Sequence, residues 1–194
     1  MLSMLNMGTG AMVAIAVVVV LALVGIWVFT TYNSLVKLRN NVEEGFSTMD
    51  VYMKKRYDLI PNLVEVVKGY AKHEKETLTE VVNLRNRCIS AEGVNDKIKA
   101  EEKLASSLKT VFALAENYPD LKANANYIDL QQKLADIESE ISQARKYYNS
   151  VVKMLNTKIE MFPSNFIAKK FKFEKAELFE ITDAVERENV KVKF

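Results

Sequence analysis

Hydrophobic positions divide this chain into one uninterrupted apolar run and several stretches with helical spacing. Residues 11–29 contain only apolar side chains and one glycine, and no charged residue precedes them. At ~1.5 Å per residue a helix of this length extends roughly 28 Å, close to the ~30 Å hydrocarbon core of a bilayer. The run predicts one transmembrane helix, with anchor residues Ala11, Val17, Leu21, Trp27 and Phe29.

The alternative for this run is a cleaved signal peptide. No basic segment precedes it and no small-residue cleavage motif follows it, so a retained anchor is favoured. Orientation follows from the basic residues, because cytoplasmic flanks carry an excess of Lys and Arg. Lys37 and Arg39 follow the run and none precedes it. This predicts a single-pass protein of the inner or cytoplasmic membrane, with its N-terminus outside and the bulk of the chain in the cytoplasm.

Apolar residues spaced by three and four continue after the span. The first stripe predicts that the anchor helix extends to about Asp58; the stripe consists of Leu35, Leu38, Val42, Phe46, Met49 and Tyr52. Pro61 is expected to interrupt this rod, because proline lacks the amide donor and clashes with the preceding turn. A second helix is predicted from there to about Gly93, with Leu63, Val67, Tyr70, Leu78, Val81 and Leu84 on its stripe.

Two more helices are predicted on either side of the break at Tyr118 and Pro119. The third begins at Asn95 or Asp96, both good N-caps. The fourth covers about residues 124–161 and has a heptad seam, formed by Leu130, Leu134, Ile137, Ile141, Tyr148 and Leu155. We therefore expect an all-α fold in which the transmembrane helix continues into an antiparallel four-helix bundle with coiled-coil-like packing.

The expected organisation has four parts. Residues 1–10 form a short extracytoplasmic N-terminus, residues 11–31 the transmembrane helix, residues 32–162 the bundle and residues 163–194 a tail. Gly and Pro number 6 and 3, which disfavours turn-rich β architectures. The net charge of +2 gives no indication of a polyanion binder, and the single cysteine excludes an internal disulfide framework.

Catalytic and metal-binding patterns are missing from the sequence. His73 is the sole histidine, whereas a helical zinc motif needs two, and Cys88 has no nearby histidine to activate it. The carboxylate pairs, among them Glu101 with Glu102, are interpreted as an exposed charged face, as is Glu138 beside the seam. We predict a protein that is not an enzyme, with no catalytic residue, no cofactor and no metal.

The tail interleaves aromatic and basic residues, which are Lys169, Lys170, Phe171, Lys172, Phe173 and Lys175. Such a segment can contact an anionic membrane, a second subunit or its own bundle, and nucleic acid is disfavoured. Residues 171–173 and 190–194 also alternate apolar with charged residues, which allows a small β element or contacts between subunits. The repeated pairs Tyr32-Asn33 and Tyr148-Asn149 suggest rings packed in the bundle with a polar network near one end.

Five segments together resemble the LemA family: residues 32–39, 58–64, 118–123, 144–149 and 162–165. The resemblance covers residues 32 to about 180 and implies a single-pass bacterial membrane protein with a helical bundle and no known enzymatic activity. Members of that family have been linked to membrane remodelling around bacterial organelles, and others resemble neighbours of membrane metalloproteases.

Two functional hypotheses follow. The first is a scaffold that self-associates as a homo-oligomer on the lipid bilayer and takes part in membrane organisation or remodelling. The second is an adaptor that presents its bundle to a membrane protein partner, such as a protease or a signalling protein. No nucleic acid is expected as a partner.

Overall fold

The computed structural model describes residues 2–179, with side chains from Gly10 onward. Within these residues it contains six helices and no strand: α1 (Leu2–Tyr70), α2 (Lys75–Ser90), α3 (Val94–Ala115), α4 (Pro119–Lys122), α5 (Ala125–Glu160) and α6 (Ser164–Lys170). The prediction of an all-α fold with a long apolar N-terminal helix is confirmed. Residues 171 and 172 form a turn rather than a strand, and residues 190–194 lie outside the described part of the chain.

Helix α1 continues through Pro61, so the predicted interruption there is wrong. Proline removes the amide that would bond to the carbonyl of residue 57, but Arg85 of α2 donates its Nε–H to the Tyr57 carbonyl oxygen at 2.7 Å. The helix ends at Tyr70 instead, and residues 71–74 separate it from α2. The single helix predicted after Pro61 is therefore divided between α1 and α2.

The start of α3 differs from the prediction. The N-cap position belongs to Gly93, whose φ of 82° lies in the left-handed region that glycine tolerates. Neither Asn95 nor Asp96 is the cap, and Asp96 lies in the first turn, where its negative charge favours the helix dipole.

Helix α5 begins and ends within one residue of its predicted bounds. Asn124 caps it, since its Oδ1 accepts the backbone N–H groups of Asn126 at 2.9 Å and Tyr127 at 3.1 Å. Of the seam residues, Ile137 is partly exposed; the buried ones are Leu130, Leu134, Ile141, Tyr148 and Leu155.

The chain divides into two compact units, and both α1 and α5 contribute to each of them. Unit 1 consists of residues 1–43 and 151–176. Its buried apolar residues after the anchor are Leu35, Val42, Val151, Val152, Leu155, Ile167 and Ala168. The predicted division into N-terminus, transmembrane helix, bundle and tail, with boundaries at residues 11, 32 and 163, stays a prediction.

Unit 2 consists of residues 44–150 together with residues 177–179, where the described part of the chain ends. Its fully buried large residues include Met49, Met53, Ile60, Leu63, Leu104, Val111 and Tyr148. Gly45 is buried where α1 meets α5, and a Cβ placed on it would lie 3.3 Å from the Tyr148 Cα. The two helix backbones approach closely here because residue 45 has no side chain.

Candidate functional site

A buried cluster of ionisable groups joins three helices of unit 2. Arg56 of α1 donates from Nη2 to Glu101 of α3, and both side chains are 4% exposed. The neighbouring Tyr57 hydroxyl donates to the other oxygen of the Glu101 carboxylate. Arg56 Nη1 donates to Glu138 of α5 at 2.5 Å. A charge this deeply buried is tolerated when it is paired and hydrogen-bonded, as it is here.

The interpretation of both carboxylates as exposed was wrong for Glu101 and incomplete for Glu138. Glu138 is 49% exposed and still bonds to Arg56. The sequence carried a signal for the cluster: Arg56 lies three residues after Met53 and four before Ile60, and Glu101 lies three residues from both Ile98 and Leu104. A charged residue on an apolar stripe indicates a buried ion pair.

The cluster also sets the ionisation of its neighbours. Burial, reinforced by the Glu101 carboxylate, raises the pKa of the Tyr57 hydroxyl far above its ordinary value. The same two causes raise the pKa of the Cys88 thiol from 9.0 to about 12. Cys88 is fully buried and remains a protonated thiol at neutral pH. These groups hold protons tightly, which suits a structural network and opposes nucleophilic chemistry.

A groove of about 980 Å³ opens beside this cluster in unit 2. Arg56, Glu101 and Glu138 line it together with apolar side chains of α3 and α5, among them Phe112 and Leu134. Arg56 Nε is buried and has no hydrogen-bond partner among the described residues. The groove thus combines apolar side chains with many polar and charged ones, Lys109 and Lys146 among them.

The side chains of the anchor residues are exposed and do not pack against other parts of the described chain. Leu21 is 65% and Phe29 67% exposed, and α1 contains one segment that is long and apolar enough to cross a membrane. His73 is exposed in the link between α1 and α2. Within residues 10–179 no group of three or more His, Cys, Asp or Glu side chains could hold a metal ion.

The first part of the tail folds back on α1 in unit 1. The Tyr32 ring lies 4.8 Å from the Phe171 ring and 5.9 Å from the Phe173 ring, and the Arg39 guanidinium lies 5.5 Å from the Phe173 ring. Asn156 of α5 binds the backbone of Ala176 twice, donating to its carbonyl at 2.8 Å and accepting from its N–H at 2.9 Å. The tail is thus held by side chains of its own chain.

The last described residues of the tail are held in the same way in unit 2. Asn149 donates to the Phe179 carbonyl at 3.0 Å and accepts from the Phe179 N–H at 2.8 Å. The Tyr148 hydroxyl donates to the Glu177 carbonyl at 2.8 Å, and its ring lies 5.9 Å from that of Phe46. Both tyrosines of the repeated Tyr-Asn pairs therefore contact the tail. Tyr32 packs against its rings, and Tyr148, together with Asn149, bonds to its backbone.

The predicted tail lysines are exposed in unit 1. Lys169 and Lys170 lie on the outer face of α6, Lys172 follows in the turn, and Lys175 pairs with Glu160. Ser164, Ile167 and Ala168 form the buried face of α6. Helix α6 therefore has a small buried face and an exposed basic face.

Curated relatives resemble this chain over most of its length. It is 24% identical over 159 residues to Protein LemA of Metamycoplasma hominis, an alignment that covers 81% of this chain and 72% of that protein. It is 22% identical to Magnetosome protein MamQ 2 of Paramagnetospirillum magneticum, covering 90% of this chain and 75% of the relative. Magnetosome protein MamQ of Magnetospirillum gryphiswaldense is 21% identical, covering 90% and 74%. The LemA family model matches residues 45–194, which include the cluster, the groove and the tail. This chain is a membrane-associated member of the LemA family.

Proposed function

We propose that this protein is a non-enzymatic, membrane-anchored scaffold that self-associates through the groove of unit 2. The groove carries the proposal, because apolar side chains such as Phe112 stand beside charges that are already paired with one another. The paired charges and their protonated neighbours do not favour catalysis, whereas apolar side chains flanked by polar ones suit a helix of a second copy.

Membrane organisation or remodelling is the process we propose for this scaffold. The two MamQ relatives carry the name magnetosome protein, and we take this name as support for a role in cellular organisation. The proposed orientation has the N-terminus outside and the body in the cytoplasm, because Lys37 and Arg39 follow the span and no basic residue precedes it.

The second candidate is an adaptor whose groove accepts a segment of another membrane protein. The same groove favours it, since helix-in-groove binding requires apolar pockets with a few polar groups at the rim. The two candidates differ in the occupant: a second copy for the scaffold, and a different chain, such as a membrane protease or a signalling protein, for the adaptor.

Light scattering after size-exclusion chromatography of the full chain in mild detergent tests self-association. We expect a mass of two or more copies for the natural protein. Phe112→Glu places an unpaired charge in the groove and should reduce that mass to one copy. Ile128→Glu is the matched control, because Ile128 is exposed on α5 and is not among the groove residues. A natural protein that is monomeric favours the adaptor, and an oligomer unaffected by Phe112→Glu places the interface elsewhere.

Thiol labelling in intact cells tests the orientation. In a Cys88→Ser background, cysteines at Ser3 and Ser106 report on the two sides, and Ser106 is exposed. A membrane-impermeant maleimide should modify position 3 and spare position 106. The reverse labelling pattern would invert the proposed topology.

A further inference from the structure

Part of the tail lies beside the point where α1 leaves the apolar run. Tyr32 is three residues beyond Phe29, which places it ~4.5 Å further along the helix axis. The Phe171 ring lies 4.8 Å from the Tyr32 ring. The polar headgroup region of one leaflet is roughly 5–7 Å thick. A span ending at Phe29 therefore places Tyr32 at the depth of the headgroups, and the Phe171 ring packs against it.

The outer surface of α6 and the residues flanking it are aromatic and basic. Phe162 is 77% and Phe166 63% exposed, with ring centroids 5.9 Å apart. Residues four apart share a helix face, which aligns Phe166 with Lys170. We call this surface the interfacial face, and it consists of Phe162, Phe166, Lys169, Lys170, Phe171 and Lys172.

Phenylalanine rings and lysines arranged in this way match a bilayer surface. Amphipathic helices that lie on membranes insert apolar rings at the boundary between headgroups and acyl chains, while their basic residues meet anionic headgroups. Two neighbouring phenylalanine rings that stay in water do not gain the free energy that burial of apolar surface provides. The nearby acidic residues are Glu174, which is exposed, and Glu160, which pairs with Lys175. The three lysines of the interfacial face outnumber these two exposed carboxylates, one of which already pairs with Lys175.

We propose that the interfacial face binds the anionic headgroups of the same bilayer that α1 crosses. The inference rests on the membrane anchor of the proposed function and is independent of self-association. A lipid surface is favoured over a second copy because Phe171 packs on Tyr32, so the face continues directly from the end of the apolar span. Tyr32 and Phe171 connect the face to the anchor, and the lysines provide its preference for negative charge.

The test uses the full chain in nanodiscs of single-copy stoichiometry, made either of phosphatidylcholine alone or of phosphatidylcholine with phosphatidylglycerol. An environment-sensitive NBD fluorophore is attached at Phe166→Cys, and a control label is attached at Ile128→Cys in unit 2. The natural Cys88 is buried and stays unlabelled under native conditions. Lipids that carry a nitroxide on the headgroup quench a fluorophore lying among the headgroups.

In anionic discs we expect blue-shifted emission and strong quenching at position 166, and less of both in neutral discs. Position 128 should show neither effect. The charge reversal Lys169→Glu, Lys170→Glu and Lys172→Glu should remove the dependence on anionic lipid. The matched reversal of exposed lysines in unit 2, Lys72→Glu, Lys99→Glu and Lys103→Glu, should leave it unchanged.

Three results would overturn the proposal. The first is an unquenched fluorophore at position 166 in anionic discs. The second is quenching that is equal in neutral and anionic discs and unaffected by the charge reversal. The third is a protein that does not co-elute with the discs, a result that would also contradict the proposed membrane anchor. Because each disc holds one copy, a failure of self-association leaves this measurement unaffected.

Discussion

Arg85 supplies the hydrogen bond that Pro61 removes from α1. The guanidinium Nε of Arg85 lies 2.7 Å from the carbonyl oxygen of Tyr57, the acceptor four residues before the proline. A proline inside a helix ordinarily leaves this carbonyl without a donor. Helix α2 provides one from outside, and α1 continues from the apolar span to Tyr70.

Replacing Arg85 should therefore lower the free energy of unfolding more when Pro61 is present than when it is absent. Arg85→Ala removes a hydrogen bond from a charged donor, worth about 1.5–3 kcal/mol of unfolding free energy. Pro61→Ala restores the intrahelical amide, and in that background the same replacement should cost less than about 0.5 kcal/mol. Urea unfolding of the four variants in detergent, followed by circular dichroism, gives the coupling energy. Equal costs in the two backgrounds would show that Arg85 acts through other contacts, such as that with Asn86.

The buried pair of Arg56 and Glu101 should also show strong coupling. Arg56→Met leaves the Glu101 carboxylate buried without its cation, and the expected loss is about 3–5 kcal/mol. Combining Arg56→Met with Glu101→Leu removes both charges, so the double variant should be more stable than Arg56→Met alone. Glu138→Gln is the control and should cost at most about 1 kcal/mol, because Glu138 is half-exposed. Thermal and urea unfolding provide the values, and strictly additive losses would contradict a direct pair.

Gly45 should tolerate no large side chain. Gly45→Leu places new atoms against the Tyr148 backbone, since even a Cβ would lie 3.3 Å from its Cα. We expect a loss of about 1–3 kcal/mol, the usual cost of overpacking. Gly69→Leu is the matched control on the same helix, because no atom lies within 4 Å of a Cβ at that position. Higher helix propensity should make it neutral or slightly stabilising. The melting temperatures of both variants decide the matter, and equal shifts would contradict close packing at Gly45.

Stability should fall at alkaline pH through the buried cluster. The pKa of the Cys88 thiol is about 12 in the folded chain against an ordinary 9.0, so the folded state holds this proton more tightly than the unfolded state. The resulting stabilisation is fully present below pH 9.0 and is lost as the pH rises towards about 12. The raised pKa of Tyr57 acts in the same direction.

The measurement is the urea midpoint of the full chain as the pH is increased through this window. The natural protein should lose stability more steeply than Cys88→Ala, which lacks the thiol and keeps Tyr57. Below pH 9.0 the two proteins should show the same slope. Parallel curves throughout the window would mean that the Cys88 thiol ionises as readily in the folded state as in the unfolded chain.

Much of the local structure could be predicted from the sequence because it depends on local physics. The apolar run 11–29 predicts its own helix, and the heptad spacing around Leu134 and Ile141 predicts α5 nearly to the residue. Asn124 and the break at Pro119 are local signals as well. The interruption at Pro61 was predicted wrongly, since the donor that compensates for it lies on another helix.

The candidate sites depended on distant residues and could be predicted only in part. Tail lysines and phenylalanines were recognisable by composition, whereas their position beside Tyr32 follows from how the chain folds back in unit 1. Glu101 and Arg56 are 45 residues apart, and although each lies on an apolar stripe, neither stripe identifies the partner of its charge. Sequence by itself determined the all-α class, the long apolar N-terminal helix and α5, because periodicity and segment length are local properties, and its motifs showed the family. Tertiary structure decided which charges are buried and what the tail contacts, because burial and pairing depend on residues that only folding brings together.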